Sequence, residues 1–452
     1  MPENAMPEAR VDSHDQPERN FASNIFRYGL ATIGPVGGAA SQFILSVQLL
    51  HALQPSSFGS FSFLLVASQF GGGLWSALFC APLPILLTQG DEPERRAMLR
   101  CLFVTNLALA GLAFSVFWIL GTWLGTPNVA SMLFAAYAAV ALLRWFARAH
   151  AYAVGAPLRT ITSDLLYSAV LLAGVGLIAL SGSNTVELPY AALLVSAALG
   201  LLPFGWRYLD QQFIRISLRD LPRYADVWRR HSSWSLTGVV TTEATVNAHA
   251  YLVTFFFGPA AFAPVAASAL IIRPIGVVMN AVTDFERPDL ARQIDDSRLG
   301  GVMRSIRAFR VVLIAAWVVT AIAAAGLMTY APGLIFPSHY DSAYLATGAA
   351  LWMAVAGIRL LRTPEGTLLQ AAGAFRSLAY ASIGSSVVSV AAVAVFLAAG
   401  GPMWSIVGIL FGEAVIAAWI WRAAQRWWAA YSTTRAPPHL EDVDATIPAS
   451  GN

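Results

Sequence analysis

The most polar stretch within an otherwise apolar block reads Thr241-Thr242-Glu243-Ala244-Thr245-Val246-Asn247-Ala248-His249. Glu243 and Asn247 stand four residues apart, so on a helix they share one face. Counted from Arg230, Glu243 lies thirteen residues into its block, about 20 Å at the rise of an α-helix. The next block runs back and places Arg273 eleven residues before Asp284, about 17 Å from that end. A charge at the centre of a bilayer costs roughly 2.5 to 3.5 kcal/mol even on the mildest scale. Arg273 therefore needs a partner, a wet cavity, or both. A guanidinium in a cavity grips phosphate oxygens bidentately, whereas an ion pair with Glu243 holds a helical hairpin in register. Both roles are open to it. Pro274 removes a backbone donor beside it and is expected to kink the helix.

The other candidate groups are neutral or sit near helix ends. Gln42 and Ser46, one turn apart in the first block, form either a sugar-facing stripe or interhelical hydrogen bonds. Arg27 at the mouth of that block attracts an anionic headgroup or simply anchors the helix. His249 and Glu413 are intramembrane titratable groups open to proton coupling or to packing, and Glu243 is an ion-coupling candidate for the same reason. Asp164 is expected to pair with a nearby arginine. Arg144, Arg148, Arg359 and Arg362 are expected to snorkel at helix ends. Cys80 and Cys101 lie outside any CxxC or His/Asp cluster and read as small apolar filler. No catalytic residue, metal site, cofactor or nucleic-acid surface is indicated.

These residues need a bilayer around them. The chain is 57% hydrophobic and 12% charged, with a mean hydropathy of +0.61, more apolar surface than a soluble globule buries. A spanning helix takes about 20 apolar residues, and twelve such blocks can be drawn: 25–50, 58–87, 99–122, 129–147, 160–180, 188–206, 232–256, 260–283, 309–330, 343–362, 378–399 and 403–425. The expected organisation is a disordered N-terminus over 1–24 without a cleaved signal peptide, an N-lobe over 25–206, a basic linker over 207–231, a C-lobe over 232–428 and a disordered tail over 429–452. Lysine is absent and all 28 basic residues are arginine. With the N-terminus cytoplasmic, every outside loop lacks arginine and only Arg273 sits deep in a span. The positive-inside rule then puts both termini in the cytoplasm of a bacterial inner membrane.

Two patterns recur six helices apart: Gln54-Pro55-Ser56-Ser57-Phe58-Gly59 with Gly258-Pro259-Ala260-Ala261-Phe262-Ala263, and Ala153-Val154-Gly155-Ala156-Pro157-Leu158-Arg159 with Ala371-Ala372-Gly373-Ala374-Phe375-Arg376. They suggest two parallel six-helix repeats. The stretch Leu53 to Gly59, the turn Gly155 to Arg159 and Phe336-Pro337-Ser338-His339-Tyr340 carry a family resemblance. The chain resembles the multidrug, oligosaccharidyl-lipid and polysaccharide flippase superfamily, most of all its polysaccharide biosynthesis and O-antigen type flippases. The resemblance implies an all-α polytopic protein whose two lobes form a V around a central cavity, lined by helices one, two, seven and eight, with alternating access by rocking. The chain departs from the family where many members read Leu-Phe-Gly before helix ten, because it has Ile335-Phe336-Pro337 instead.

The implied function is transport of a lipid-linked oligosaccharide or polysaccharide precursor across the inner membrane. Arg273, Arg27, Gln42, Ser46 and Asn247 would contact that substrate. Its partners would be the lipid-linked glycan, membrane lipid, and a glycan polymerase or glycosyltransferases. Cation-coupled multidrug efflux is the alternative within transport, and it calls for buried carboxylates. A membrane enzyme acting on lipid-linked sugars is the alternative of another class. Its catalysis would need a substantial outside loop, and the longest, 330–342, offers only His339 and Asp341. A phosphate-cradling G-x-x-x-x-G-K-[ST] loop needs a lysine, so this chain carries no ATP-driven motor of that kind.

Overall fold

The computed structural model describes residues 21–88, 91–182, 185–215 and 217–434. The terminal stretches expected to be disordered lie, up to residue 20 and from residue 435, outside the described residues. Twelve long helices follow one another: α1 Phe21–Ala52, α2 Pro55–Trp75, α3 Glu92–Trp123, α4 Asn128–Ala153, α5 Pro157–Ser181 and α6 Glu187–Leu199, then α7 Ser233–Phe257, α8 in two segments, Pro259–Ala269 and Arg273–Asp295, α9 Leu299–Tyr330, α10 Ser342–Ala371, α11 Phe375–Gly400 and α12 Ser405–Thr434. Ten spans among the described residues are long and apolar enough to cross a membrane. The other two helices, α1 and α7, open the two halves, and α7 carries Thr241, Thr242, Glu243, Asn247 and His249 within its apolar run.

The helices begin where local chemistry favours it. Pro55, Pro157 and Pro259 sit in the first turns of α2, α5 and α8, where a missing N–H costs nothing. Asp91 caps α3 by accepting from Glu94 N at 2.9 Å, and Asp341 caps α10 by accepting from Ala343 N at 2.9 Å. On the arginine-rich side the helices outrun the expected spans: α8 reaches Asp295, α9 starts at Leu299, and α10 and α12 run on to Ala371 and Thr434. Backbone hydrogen bonding does not stop at the hydrocarbon edge, whereas an apolar window ends at the first charges. For the same reason residues 21–24 and 429–434, expected to be disordered, are helical.

Packing repeats with an offset of six helices. Helix α1 packs on α5 as α7 does on α11, α3 on α4 as α9 on α10, α4 on α6 as α10 on α12, and α5 on α6 as α11 on α12. The turns after α4 and α10 share one glycine conformation and one closing hydrogen bond. Gly155 and Gly373 have φ of 74° and 77°, and each turn closes with a bond spanning five residues, Ala156 N to Ala151 O and Ala374 N to Leu369 O, both 2.8 Å. This is the left-handed glycine stop that ends a helix by satisfying its last carbonyls. The chain is thus two six-helix lobes of parallel orientation.

The lobes meet most closely where α2 crosses the first segment of α8. The crossing depends on Gly59, because a Cβ there would stand 1.8 Å from the carbonyl oxygen of Pro259. Phe58 and Phe262, the aromatic residues of the repeated motif, are both buried. Phe63 stands edge-on to Phe262 and Tyr251, with ring centroids 6.4 and 5.7 Å away. This closure belongs to the arginine-free side of the protein.

The stretch expected as a basic linker is packed into the N-lobe. Gln212 is fully buried; it donates to Phe103 O at 3.2 Å and accepts from Asn106 Nδ2 at 3.0 Å, and Trp75 Nε1 donates to Asn106 Oδ1 at 2.6 Å. Past Trp75 the end of α2 widens into a π-turn at Ser76–Cys80. There the Leu78 carbonyl accepts from Tyr224 Oη at 2.8 Å and from Ser232 Oγ at 3.0 Å. Burial pushes the Tyr224 phenol up to about 12, so it stays a donor at any physiological pH.

Candidate functional site

The seam between the lobes collects polar side chains from α1, α7 and α8. Helix α8 breaks there: its first segment ends at Ala269, Leu270–Ile272 form a 3₁₀ turn, and the second segment starts at Arg273 with Pro274 in its first turn. The expected kink is this break, which sets the root of Arg273 at the start of a new helix. Arg273 Nη1 donates across the seam to Ser46 Oγ at 3.1 Å, and Ser46 Oγ donates to the Gln42 carbonyl at 2.8 Å.

The ion pair considered between Arg273 and Glu243 is not formed. Glu243 Oε2 accepts from Asn247 Nδ2 at 3.0 Å, and Oε1 accepts from Tyr251 Oη at 2.6 Å. Glu243 and Asn247 do share a face, as their spacing required, and Tyr251, two turns along from Glu243, completes the cradle. Among the described residues Arg273 joins no ion pair. Arg273, Glu243, Asn247 and Gln42 are half-buried, and Pro274 and Asn280 are exposed. Arg27 falls in α1, and its side chain lies outside the described residues.

The helix-end arginines do not snorkel; they neutralise carboxylates inside the lobes. In the N-lobe, Asp164 on α5 takes Arg144 on one oxygen and Arg148 on the other, the second at 3.0 Å. Asp164 thus pairs with arginine as expected, but with two of them. Arg144 also donates to Ser163 Oγ at 3.0 Å and lies over the Tyr167 ring, 4.6 Å from its centroid. Tyr167 Oη in turn accepts from Gln42 Nε2 at 2.9 Å, which ties the network to the seam helix α1. Two glycines make room, since a Cβ at Gly34 would meet the Asp164 carboxylate and one at Gly200 would meet Arg144 Nε.

The C-lobe repeats the device with different geometry. Glu413 on α12, fully buried, accepts from Arg359 Nε at 2.6 Å and from Arg362 Nε at 2.9 Å, both on α10. Arg310 on α9 pairs with Glu365 on α10. Both oxygens of Glu413, expected as a coupling candidate, are thus taken by guanidinium groups of α10. His249 is buried in the C-lobe interior, 5.0 Å from the Trp352 ring and 6.0 Å from that of Phe262. It does not join Glu243 and Arg273 at the seam.

Sequence reasoning missed the paired arginines because a single chain shows no tertiary partner. One signal was available: Arg144 and Arg148, and Arg359 and Arg362, each lie about one helical turn apart, so each pair shares a face. Among the described residues no cluster of His, Cys, Asp or Glu could hold a metal ion.

The seam and the paired lobes define a multi-pass membrane protein of two six-helix lobes. No protein-family model matches the sequence, and no curated protein matches it. Solved structures match its fold along most of both chains. A multidrug resistance MATE family transporter of the MOP superfamily in its inward-facing conformation superposes with a TM-score of 0.65 at 14% identity, over 88% of this chain and 96% of that one. The Vibrio cholerae MATE transporter VcmN in its bent form gives 0.55 at 14%, over 91% and 98%. A MOP superfamily transporter from Pyrococcus furiosus, described as having a binding pocket of reverse polarity that suggests a different function, gives 0.56 at 15%, over 90% and 96%. At these identities the likeness establishes the fold: twelve helices in the two-lobe arrangement of MATE transporters.

Proposed function

We propose that the chain is an alternating-access flippase that carries a lipid-linked glycan precursor with an anionic phosphate linkage across the inner membrane. The observation that supports it is the balance of charge inside the helical lobes. Six arginines (Arg144, Arg148, Arg273, Arg310, Arg359 and Arg362) face four carboxylates (Asp164, Glu243, Glu365 and Glu413). In each lobe two arginines share one carboxylate, which leaves one positive charge uncompensated, and among the described residues Arg273 at the seam has no carboxylate partner. A low-dielectric interior with surplus positive charge favours an anion and repels an organic cation. Arg273 would grip the phosphate, with Gln42, Ser46 and Asn247 offering amide and hydroxyl groups to the sugar and Arg27 drawing the headgroup to the mouth of α1.

Multidrug efflux remains the second reading because of one observation. Glu243 is a half-buried carboxylate at the seam, held by Asn247 and Tyr251 rather than by an arginine, and a carboxylate of that kind suits a cation. The two readings separate in cells lacking the protein. The flippase requires lipid-linked intermediate to accumulate on the cytoplasmic leaflet with no new sensitivity to cationic dyes. Dye hypersensitivity with normal surface glycan would favour efflux.

Orientation is tested separately. With both termini cytoplasmic, a reporter active only outside works after Pro337, and one active only in the cytoplasm works after Arg298. Reversed activities would invert the membrane topology.

A further inference from the structure

The outer end of α1 carries a second contact between the lobes, away from the Arg273 seam. His51 Nδ1 lies 2.9 Å from the Val47 carbonyl of its own helix, and Nε2 lies 3.1 Å from the carbonyl of Gly333 in the C-lobe. Gly333 belongs to a short helical turn, Pro332–Ile335, between α9 and α10. Its carbonyl is free for a structural reason. In that turn Phe336 N donates to Pro332 O at 2.8 Å, and the next donor in sequence would be residue 337. Residue 337 is proline and has no N–H. Pro337 therefore leaves Gly333 O facing His51.

Both ring nitrogens thus meet a carbonyl oxygen. A neutral imidazole has one N–H, so either tautomer turns a nitrogen lone pair toward a carbonyl. The imidazolium donates to both. We propose that His51 is a proton-binding latch: protonated, it bonds Val47 O and Gly333 O and holds the lobes together on the arginine-free face, and deprotonated, it releases them. The proposal rests on the rocking of the two lobes and not on the identity of the cargo. It gives the gate a dependence on the pH of the side on which it closes, at a group distinct from Glu243, His249 and Glu413.

Among the described residues no charged side chain competes for the imidazolium, and the ring is otherwise exposed to water. The described part of α1 around it, the segment Leu53–Gly59 and the outer end of α5 carry no charged side chain. Glu187 opens α6. The loop beyond the short turn bears His339, which packs on the Tyr340 ring at 4.6 Å, and Asp341, which is engaged with Ala343 N; Tyr330 precedes the turn. Among the described residues none of these forms a hydrogen bond or ion pair with His51.

The test uses the full-length chain in lipid nanodiscs. Cys80 and Cys101 are replaced by alanine, and spin labels are attached at Ser56→Cys and Ser338→Cys, both exposed positions on the closing face. Label distances are measured by double electron–electron resonance across about pH 5 to 8, the range in which histidine changes charge. A hydrogen bond from a charged but solvent-exposed group is strong enough to move the closed-to-open ratio by about two- to tenfold, with the short distance dominating at low pH. His51→Gln keeps the size of the side chain and is expected to abolish the pH response. Pro337→Ala restores an N–H that competes for Gly333 O and is expected to weaken the closed population at acid pH. His339→Gln is expected to leave the response intact. A wild-type distribution that does not change with pH, or a His51→Gln variant that keeps the response, overturns the latch. No substrate is present, so a wrong assignment of cargo would show only in the glycan and dye measurements.

Discussion

Glu413→Ala is expected to lower the amount of folded protein in the membrane tenfold or more. Glu413 is fully buried and takes one bond from each of Arg359 and Arg362. Removing it leaves two guanidinium groups in the lobe interior with no counter-charge, and Arg359 Nη2 is already buried without a hydrogen-bond partner. Breaking a buried pair by deleting one partner typically costs about 3 to 5 kcal/mol, a large share of the ~5 to 15 kcal/mol that holds an ordinary domain together. Because the damage lies in the stranded charges, deleting them should repair it. The triple variant Glu413→Ala, Arg359→Met, Arg362→Met replaces all three ions by apolar groups and is expected to recover most of the abundance. Glu413→Gln keeps the shape and one acceptor but not the charge, and should fall between. Fluorescence-detected size exclusion on tagged variants measures this directly. Wild-type abundance of Glu413→Ala would show that water, not Glu413, solvates the arginines of α10.

The fold was largely legible in the sequence because a membrane imposes simple rules on it. Apolar blocks of spanning length and arginine confined to alternate loops located the helices to within a few residues on the arginine-free side. The repeated Gly155 and Gly373 turns marked the two lobes because a left-handed stop selects glycine. Charge partners were not legible. Spacing along a helix says which residues share a face, but not which helix that face meets, so Arg359 and Arg362 read as surface anchors until α12 is seen against α10. The same limit produced the Arg273 and Glu243 pair: residue counts along two helices gave similar depths but no azimuth, and Glu243 turns to Tyr251 and Asn247 on its own helix. His51 was invisible for a related reason. Its partner, Gly333, is a backbone carbonyl exposed by a proline, and neither residue type signals chemistry alone.

Arg273→Ala is expected to abolish glycan export while leaving most of the protein folded. Had Arg273 been paired with Glu243, each single replacement would strand a charge and the double replacement would restore stability. The structure removes that expectation, since among the described residues Arg273 donates to Ser46 Oγ and joins no ion pair, and Glu243 is satisfied within α7. Abundance should therefore stay near normal for Arg273→Ala, and Glu243→Ala should not depend on the residue at 273. Arg273→Lys keeps a positive charge but loses the planar fork that meets two phosphate oxygens at once, so export is expected to fall by about tenfold or more with abundance unchanged. Ser46→Ala removes a neutral acceptor worth about 1 kcal/mol and should reduce export only a few-fold. Measuring surface glycan and abundance together in these variants separates a substrate contact from a packing role. Full export by Arg273→Ala at normal abundance would remove the phosphate role, and with it the main reason to prefer an anionic cargo.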